Sequence, residues 1–277
     1  MKKLEIEEIE VDLLLEGIYQ RYGYDFRHYG RASIKRRLQH HLTKADYGIV
    51  SEMIPSVLYD ESKFKALLFD ISVTVTEMFR DPWFYVGIRE KVIPFLKTFP
   101  FINVWHAGCA TGEEVYSLAI VLKEEGLYDR ARIYATDIND SALEKAKSRI
   151  YPMSKMKEYS SNYQHAGGKR SLSHYFYAKY DSVIVDADLQ ENITFANHNL
   201  ATDNVFGEMH LILCRNVLIY FNRTLQDRVL SIFADSLRYN GFLCLGTKET
   251  MHFAKVRDDF VEFLRNERIY QYKGIPH

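Results

Sequence analysis

Apolar residues recur every three or four positions through the first quarter of the chain. Three stripes are visible: Ile9, Leu13, Leu14 and Ile18; Ile34, Leu38 and Leu42; and Phe64, Leu67, Leu68 and Ile71. This spacing places apolar side chains on one face of a helix, and no convincing strand pattern interrupts it. The pattern therefore predicts a small N-terminal helical domain over residues 1–75.

From residue 101 onward, short apolar runs alternate with helical periodicities. Strands are predicted over Ile102–Ala107, Arg132–Thr136, His210–Cys214, Phe242–Gly246 and Arg268–Tyr272, and helices over residues 113–124, 141–149 and 224–238. This alternation is typical of an α/β fold with a doubly wound, mostly parallel sheet and helices on both faces. We assign residues 101–277 to this domain and residues 76–100 to a linker that contributes to its ligand site.

The α/β pattern is interrupted at about residues 172–196. Residues 174–177, 182–185 and 192–195 each alternate apolar and polar positions, with turn residues between them. Alternation with a period of two is typical of half-buried strands. The sequence therefore predicts a small antiparallel β insertion at the edge of the main sheet.

A loop of small residues follows the first predicted strand and leads into a helix. Gly108, Ala110 and Gly112 let the backbone approach a ligand closely, as in nucleoside-binding turns. Glu113 and Glu114, however, put two negative charges at the helix start, where a dinucleotide would place its pyrophosphate. We therefore expect S-adenosylmethionine, which joins an adenosine to a positively charged sulfonium group, with Gly108 among its contacts.

Two carboxylates near this loop have alternative interpretations. Glu114 could contact the cofactor or complete a capping box with Thr111, and one residue can do both. Asp137 ends the second predicted strand, where nucleoside-binding folds place a carboxylate that accepts bonds from ribose hydroxyls. The alternative for Asp137 is a helix-start charge ahead of a capping box at Ser141–Glu144.

Composition and charge narrow the class of protein. The 277 residues carry a formal net charge of −1, so no overall field attracts nucleic acid, and no aromatic RNA-binding motif is present. The three cysteines are scattered in apolar segments, which indicates buried thiols and no metal site. No apolar run is long enough to span or insert into a membrane, and a signal-peptide core is absent. We expect a soluble cytoplasmic protein.

Four segments carry a family resemblance. They are Ser72–Pro82, His106–Glu114, Ala135–Ile138 and Leu213–Phe221. In order and spacing they resemble the CheR-type chemoreceptor glutamate methyltransferases, which share a V-T-x-F-F-R-D segment, an A-x-x-T-G-E-E-x-Y-S loop, and A-T-D-I and C-R-N-V-x-I-Y-F strand ends. The resemblance runs from about Gly17 to Tyr272 and implies a class I methyltransferase-like fold.

The resemblance also implies site residues. The positions that match the family's cofactor contacts are Thr74, Thr76, Arg80, Glu114, Asp137, Asn199, Leu200, Arg215 and Asn216. Arg80 and Tyr220 match the catalytic residues beside the transferred methyl group. Thr74 stands where asparagine is usual, and Val115 where proline is common. From the residues alone, Arg80 could instead pair with Asp81 at a helix end, and Tyr220 could belong to the core.

The predicted chemistry needs no catalytic histidine. A glutamate carboxylate is already ionised near pH 7, so its oxygen can attack the sulfonium methyl without a general base, leaving S-adenosylhomocysteine. The site must align the acceptor and hold its charge, which suits an arginine and a phenol. We therefore expect Arg80 to hold the acceptor or cofactor carboxylate and Tyr220 to orient the attacking oxygen.

The second helical stripe lies in a basic segment containing Arg31, Lys35, Arg36 and Arg37. A solvated face is the simpler interpretation. The resemblance favours contact with an acidic helical region of a chemoreceptor-like protein. Family members that tether to a receptor's C-terminal peptide use a glycine-containing loop in the β insertion, whereas Tyr177–Ser182 has no glycine. We therefore expect a monomer that works without such a tether.

Two other function classes remain open from sequence. A nicotinamide-dependent oxidoreductase would share the α/β fold, although Glu113 and Glu114 oppose a pyrophosphate. A non-catalytic module that binds S-adenosylmethionine and regulates a two-component pathway would share the whole cofactor site. Arg80 and Tyr220 are the residues that favour an enzyme.

Overall fold

The computed structural model describes residues 3–205 and 207–274. Residues 1, 2, 206 and 275–277, which the predicted domain ranges include, lie outside the described residues.

The N-terminal region is a helical domain, as its apolar stripes predict. Its helices are α1 (Lys3–Tyr22), α2 (Arg31–Ala45), α3 (Val50–Tyr59) and α4 (Glu61–Ile71). The predicted stripes of α2 and α4 are buried, but the stripe of α1 is shifted. Ile9 and Leu13 are 48% and 58% exposed, whereas Val11, Leu14 and Leu15 are buried. Spacings of three and four fit both stripes, so packing against the other helices decides between them.

Residues 82–96, in the predicted linker, are helical and packed. Helix α5 (Pro82–Gly87) continues through a π-helical segment, Ile88–Val92, into α6 (Ile93–Leu96). Phe84, Tyr85 and Ile88 are almost completely buried in the core of the α/β domain.

In the described part of the chain, ten strands follow in order. They are β1 (Ile102–Ala107), β2 (Ala131–Asp137), β3 (Ile150–Pro152), β4 (Phe176–Lys179), β5 (Ser182–Val185), β6 (Ile193–Asn197), β7 (Met209–Cys214), β8 (Leu237–Leu245), β9 (Phe260–Leu264) and β10 (Ile269–Tyr272). Seven form one sheet in the order β6-β2-β1-β7-β8-β10-β9. Its β6, β2, β1, β7 and β8 strands run parallel, and β10 is antiparallel to both its neighbours. The predicted doubly wound, mostly parallel sheet is confirmed.

Helices cover both faces of this sheet. They include α7 (Glu113–Glu124), α8 (Asp140–Ser148), α9 (Met156–His165) and α10 (Arg223–Ser236). Helix α7 packs with α5 and α6 in one core, whereas α10 packs in a second core that contains Trp105. Within the described ranges, no helix combines the length and apolarity that crossing a bilayer requires.

The small antiparallel insertion exists, but one of its predicted strands is wrong. Strands β4 and β5 form a hairpin, and β3 is the third strand of this sheet. The predicted third segment, residues 192–195, instead lies in β6 and pairs in parallel with β2. A period of two reports that a strand is half-buried and does not identify its partner, and an edge strand of the main sheet has the same period.

Candidate cofactor and active site

A cleft lies between the carboxyl ends of β1, β2, β6 and β7 and the N-terminal helical domain. It contains about 1000 Å³ of empty space, part of which is open to solvent. Its mixed lining of loop backbone, charged groups and apolar side chains suits a nucleoside-containing small molecule. The predicted site residues that line it are Thr76, Arg80, Gly108, Glu114, Asp137, Asn199, Leu200, Arg215, Asn216 and Tyr220.

Thr74 is the predicted contact that does not line the cleft. Its neighbours Val73 and Val75 do. Residues 73–75 have neither helical nor strand structure, and in an extended chain successive side chains face opposite ways. The substitution of threonine for the family's usual asparagine therefore falls outside the cleft wall.

The glycine loop brings backbone to the cleft because its conformation excludes side chains. Gly108 has a φ of +74°, and a Cβ atom there would lie 2.5 Å from a methyl carbon of Val217. Ala110 also has a positive φ, +48°, and its N–H donates to Asp137 Oδ2 at 2.8 Å. The loop after β1 and the carboxylate after β2 are therefore joined directly.

Asp137 accepts a second backbone bond, from Asn139 N to its Oδ1 atom at 2.9 Å. Burial raises the pKa of Asp137, and the backbone N–H donors act in the opposite direction. A carboxylate has lone pairs beyond these two bonds for ligand hydroxyls. Asp137 does precede a helix, but the capping box expected at Ser141–Glu144 is wrong, because α8 begins at Asp140 and is capped by Asn139, whose side chain accepts from Ala142 N at 3.2 Å.

The two glutamates at the start of α7 have different environments. Glu113 does not line the cleft; its Oε2 accepts from Thr111 Oγ1 at 2.6 Å, and burial raises its pKa. Gly112, with a φ of +88° and no side-chain bond, occupies the helix cap, so the capping box predicted for Thr111 and Glu114 is wrong. Of these two glutamates, Glu114 is the one that lines the cleft.

Glu114 and Arg215 form a buried ion pair. The second Glu114 oxygen lies 3.1 Å from His106 Nε2, and Arg215 Nη2 lies 2.6 Å from Asp81 Oδ2. Burial alone would raise the pKa of Glu114, but Arg215 and His106 outweigh it and lower that pKa to about 2. Glu114 therefore stays ionised, and Arg215, whose guanidinium also stacks 4.0 Å from the Phe84 ring centre, is committed to holding it.

Arg80 takes no part in this network of ion pairs. Asp81 pairs with Arg215, so the predicted alternative of an Arg80–Asp81 salt bridge is wrong. Among the described residues, no carboxylate lies within ion-pair distance of Arg80. The flanking residues Phe79 and Asp81 have φ values of +53° and +54°, which non-glycine residues rarely adopt. The cleft therefore contains an uncommitted guanidinium in a strained turn.

A buried acid that the sequence interpretation missed organises the loop after β7. Glu249 accepts backbone bonds from Asn216 N at 3.0 Å and Ile219 N at 3.3 Å. Burial raises the pKa of Glu249, opposed by these donors. No local motif marks Glu249, which contacts this loop only because β7 and β8 are neighbours.

The four basic residues predicted as a partner surface do not share one surface. Arg31 lies 2.6 Å from Glu8 Oε2 and 2.7 Å from Asp12 Oδ1, and Lys35 also pairs with Glu8. Their charges are therefore already compensated by α1.

Arg36 and Arg37 have opposite surroundings. Arg36 is exposed, whereas Arg37 lines the cleft and donates from Nη1 to Ile71 O at 2.8 Å. Arg37 follows Ile34 by three positions, so helical spacing places it beside the buried stripe. Arg37 therefore lies in the cleft wall and not on the exposed face of α2, and its predicted contact with a partner stays a prediction. Tyr29 and Ser33 are cleft residues that the sequence did not indicate.

The fold and the cleft define a class of protein. A parallel sheet with antiparallel β10, a glycine loop after β1 and a carboxylate after β2 are the parts of a nucleoside-binding α/β domain. The ionised Glu114 and the carboxylate of Asp137 suit a ligand with hydroxyl and cationic groups better than a pyrophosphate. These residues fit S-adenosylmethionine, so the class is that of the S-adenosylmethionine-dependent methyltransferases.

Comparison with known protein families supports this class. Residues 74–266 match the S-adenosylmethionine-binding domain of the CheR methyltransferases, and residues 9–72 match the all-alpha domain of the same family. The chain belongs to the CheR methyltransferase family. This confirms the resemblance and the cofactor, and it excludes the nicotinamide-dependent alternative.

Individual relatives cover almost the whole chain. A Pseudomonas putida protein named Cher3 is 51% identical over 264 residues, 95% of this chain and 97% of its own length. The chemotaxis protein methyltransferase of Salmonella typhimurium is 28% identical, covering 97% of this chain and 92% of its own. Among solved structures, magnesium protoporphyrin IX methyltransferase from Synechocystis, with bound SAH, has a TM-score of 0.32 at 19% identity, over 59% of this chain and 55% of that one.

Asp137→Ala is expected to weaken S-adenosylhomocysteine binding by roughly 1–3 kcal/mol, because it removes an acceptor facing the cleft. Isothermal titration calorimetry measures this directly. Asp140→Ala is the matched control, since Asp140 is an exposed carboxylate of α8 that does not line the cleft. Unchanged affinity in Asp137→Ala would remove this residue from the cofactor site.

Proposed function

We propose that the protein transfers a methyl group from S-adenosylmethionine to glutamate side-chain carboxylates of a chemoreceptor-like signalling protein. The observation that carries the proposal is that Arg80 and Tyr220 line the same cleft as Glu114 and Asp137, and that Arg80 forms no ion pair with any residue the structure describes. Relatives named chemotaxis protein methyltransferase, in Listeria monocytogenes and Salmonella typhimurium, support this substrate class.

The residues of the cleft suit a carboxylate acceptor. Bound S-adenosylmethionine supplies an electrophilic methyl group on a sulfonium. The acceptor glutamate is ionised near pH 7, so this chain has no proton to remove and needs no base near the reacting atoms. Arg80 binds the acceptor carboxylate by charge, and the Tyr220 hydroxyl donates to one of its oxygens, which directs the other oxygen toward the methyl group.

The test supplies the protein with methyl-labelled S-adenosylmethionine and purified cytoplasmic fragments of chemoreceptors. The proposal expects label in a fragment that mild base releases as methanol, since carboxyl methyl esters hydrolyse readily. Binding of S-adenosylmethionine without label in any fragment would favour the alternative, a non-catalytic regulatory module.

We further propose that an acidic helix of the receptor docks on the exposed face of α2, around Arg36. An incoming acidic helix would compete with Glu8 and Asp12 for Arg31 and Lys35.

Arg36→Glu is expected to raise the KM for a receptor fragment about 10-fold at low salt, because it repels an acidic helix. The difference from the parent should shrink as ionic strength rises, since salt screens exposed charges. S-adenosylhomocysteine affinity should not change, because Arg36 does not line the cleft.

A second arm of that experiment uses a receptor fragment without its C-terminal tail. The β4–β5 link is a two-residue turn with an exposed Tyr180 at a φ of +52°, which supports methylation without a peptide tether. The truncated fragment should be methylated at the rate of the complete one. A large fall in rate on truncation would contradict docking through α2 alone.

A further inference from the structure

The N-terminal domain holds the segment that carries Tyr220. Gly30 N donates to Tyr220 O at 2.6 Å, and Asn222 N donates to His28 O at 2.8 Å. Between these bonds, the Tyr29 and Phe221 rings lie 4.9 Å apart, centre to centre, edge to face. The backbone of Tyr220 is thus fixed from outside its own domain.

Arg37 of α2 holds the side chain of the same tyrosine. Its Cζ atom lies 4.8 Å from the centre of the Tyr220 ring. The guanidinium itself is fixed by two neutral acceptors, Ile71 O at 2.8 Å from Nη1 and Ser33 Oγ at 3.2 Å from Nε. No carboxylate of the described residues lies within ion-pair distance of Arg37, so its guanidinium is not held in a salt bridge.

A fixed guanidinium over an aromatic ring restricts the ring. A cation–π contact attracts the ring toward the guanidinium, and here both side chains are partly buried in the cleft wall. Burial lowers the pKa of Arg37, opposed by Tyr220, but an arginine stays charged at neutral pH.

We infer that Arg37 is a positioning residue that fixes the Tyr220 ring and so sets the direction of its hydroxyl toward the acceptor. The inference rests on the proposed function, because it gives Tyr220 a task in methyl transfer. It also gives the N-terminal domain a part in the active site, separate from receptor docking.

The first test is a double-mutant cycle on methyl transfer to a chemoreceptor cytoplasmic fragment. Arg37→Met should lower kcat about 10-fold, because small misplacements of aligning groups are costly. Arg37→Lys, which keeps the charge without the planar fork, should recover part of the rate. In a Tyr220→Phe background, where no hydroxyl remains to be aimed, Arg37→Met should change kcat less than about twofold.

Arg21→Met is the matched control. Arg21 also places its guanidinium over a tyrosine, 5.2 Å from the ring centre of Tyr22, but neither residue lines the cleft. This variant should keep the parental kcat. Losses that multiply fully in the Arg37→Met and Tyr220→Phe double variant would overturn the inference.

The second test needs no acceptor. The protein is labelled with 3-fluorotyrosine, and the ¹⁹F resonance missing from Tyr220→Phe is assigned to Tyr220 among the 20 tyrosines. Arg37→Met should shift or broaden that resonance, and Arg21→Met should not. An unmoved Tyr220 resonance in Arg37→Met would overturn the inference even if the parent methylates a receptor. If the parent methylates no fragment, the proposed function fails while the resonance still reports the Arg37–Tyr220 contact.

Discussion

Arg215→Met is expected to destabilise the folded protein by about 3–5 kcal/mol, because it removes the main partner of the buried Glu114 carboxylate. Both side chains are at least 90% buried, and Arg215 also holds Asp81. The free energy of unfolding in urea at pH 7 measures the loss. The double variant Glu114→Gln/Arg215→Met should lose much less free energy of unfolding, since it removes both charges of the buried pair and leaves neither one unpaired.

The same pair gives a pH dependence with a defined sign. The pKa of Glu114 is about 2 in the folded protein, below the roughly 4.3 of an unperturbed glutamate. Its contribution to stability is therefore complete above about pH 5 and is lost as pH falls toward 2. The Glu114→Gln variant should lack this part of the acid transition. Identical pH profiles for parent and variant would show that Arg215 does not hold Glu114 ionised.

Arg80→Ala is expected to lower kcat for methyl transfer about 100-fold, because it removes the guanidinium proposed to bind the acceptor carboxylate. The free energy of unfolding should change by less than about 0.5 kcal/mol, since Arg80 makes no ion pair among the described residues. Steady-state kinetics with a receptor fragment, together with urea unfolding, separates the two effects.

Tyr220→Phe completes that comparison, since it keeps the ring and removes only the hydroxyl. Its kcat should fall less than that of Arg80→Ala, while S-adenosylhomocysteine affinity stays near the parental value. If both variants transfer methyl groups at the parental rate, Arg80 and Tyr220 have no catalytic role.

Local sequence patterns were sufficient to predict those features whose conformation depends on a single segment. The loop at Gly108–Gly112 could be predicted because small residues follow an apolar run and precede a helix. Asp137 could be predicted because the carboxyl ends of parallel strands meet at one edge of a sheet. The buried faces of α2 and α4 could also be predicted, since the apolar residues of each helix form a single stripe.

Features that depend on packing could not be read locally. The α1 sequence offers two apolar stripes, and only contact with its neighbours selects Val11 over Ile9 and Leu13. The pattern of β6 is that of any half-buried strand, so its partner could not be inferred. The role of Arg37 could not be predicted either, because it depends on contact with Tyr220, which lies far along the chain.

The residues that support the cleft through contacts with other segments were the hardest to predict from the sequence. Glu249 carries no motif, yet its carboxylate accepts the backbone donors of the loop after β7. Arg215 was expected to contact the cofactor, and its commitment to Glu114 and Asp81 became apparent only in three dimensions. Supporting partners of this kind are set by the spatial neighbourhood and leave no fixed spacing in a sequence.

Tandem mass spectrometry of receptor fragments, incubated with the protein and deuteromethyl S-adenosylmethionine, tests whether receptor glutamates accept the methyl group. We expect a deuterated methyl ester on glutamate side chains of the receptor's helical region, lost on treatment with mild base and absent with Arg80→Ala. Base-stable methylation of lysine or arginine, or no labelled fragment from a protein that binds the cofactor, would contradict it.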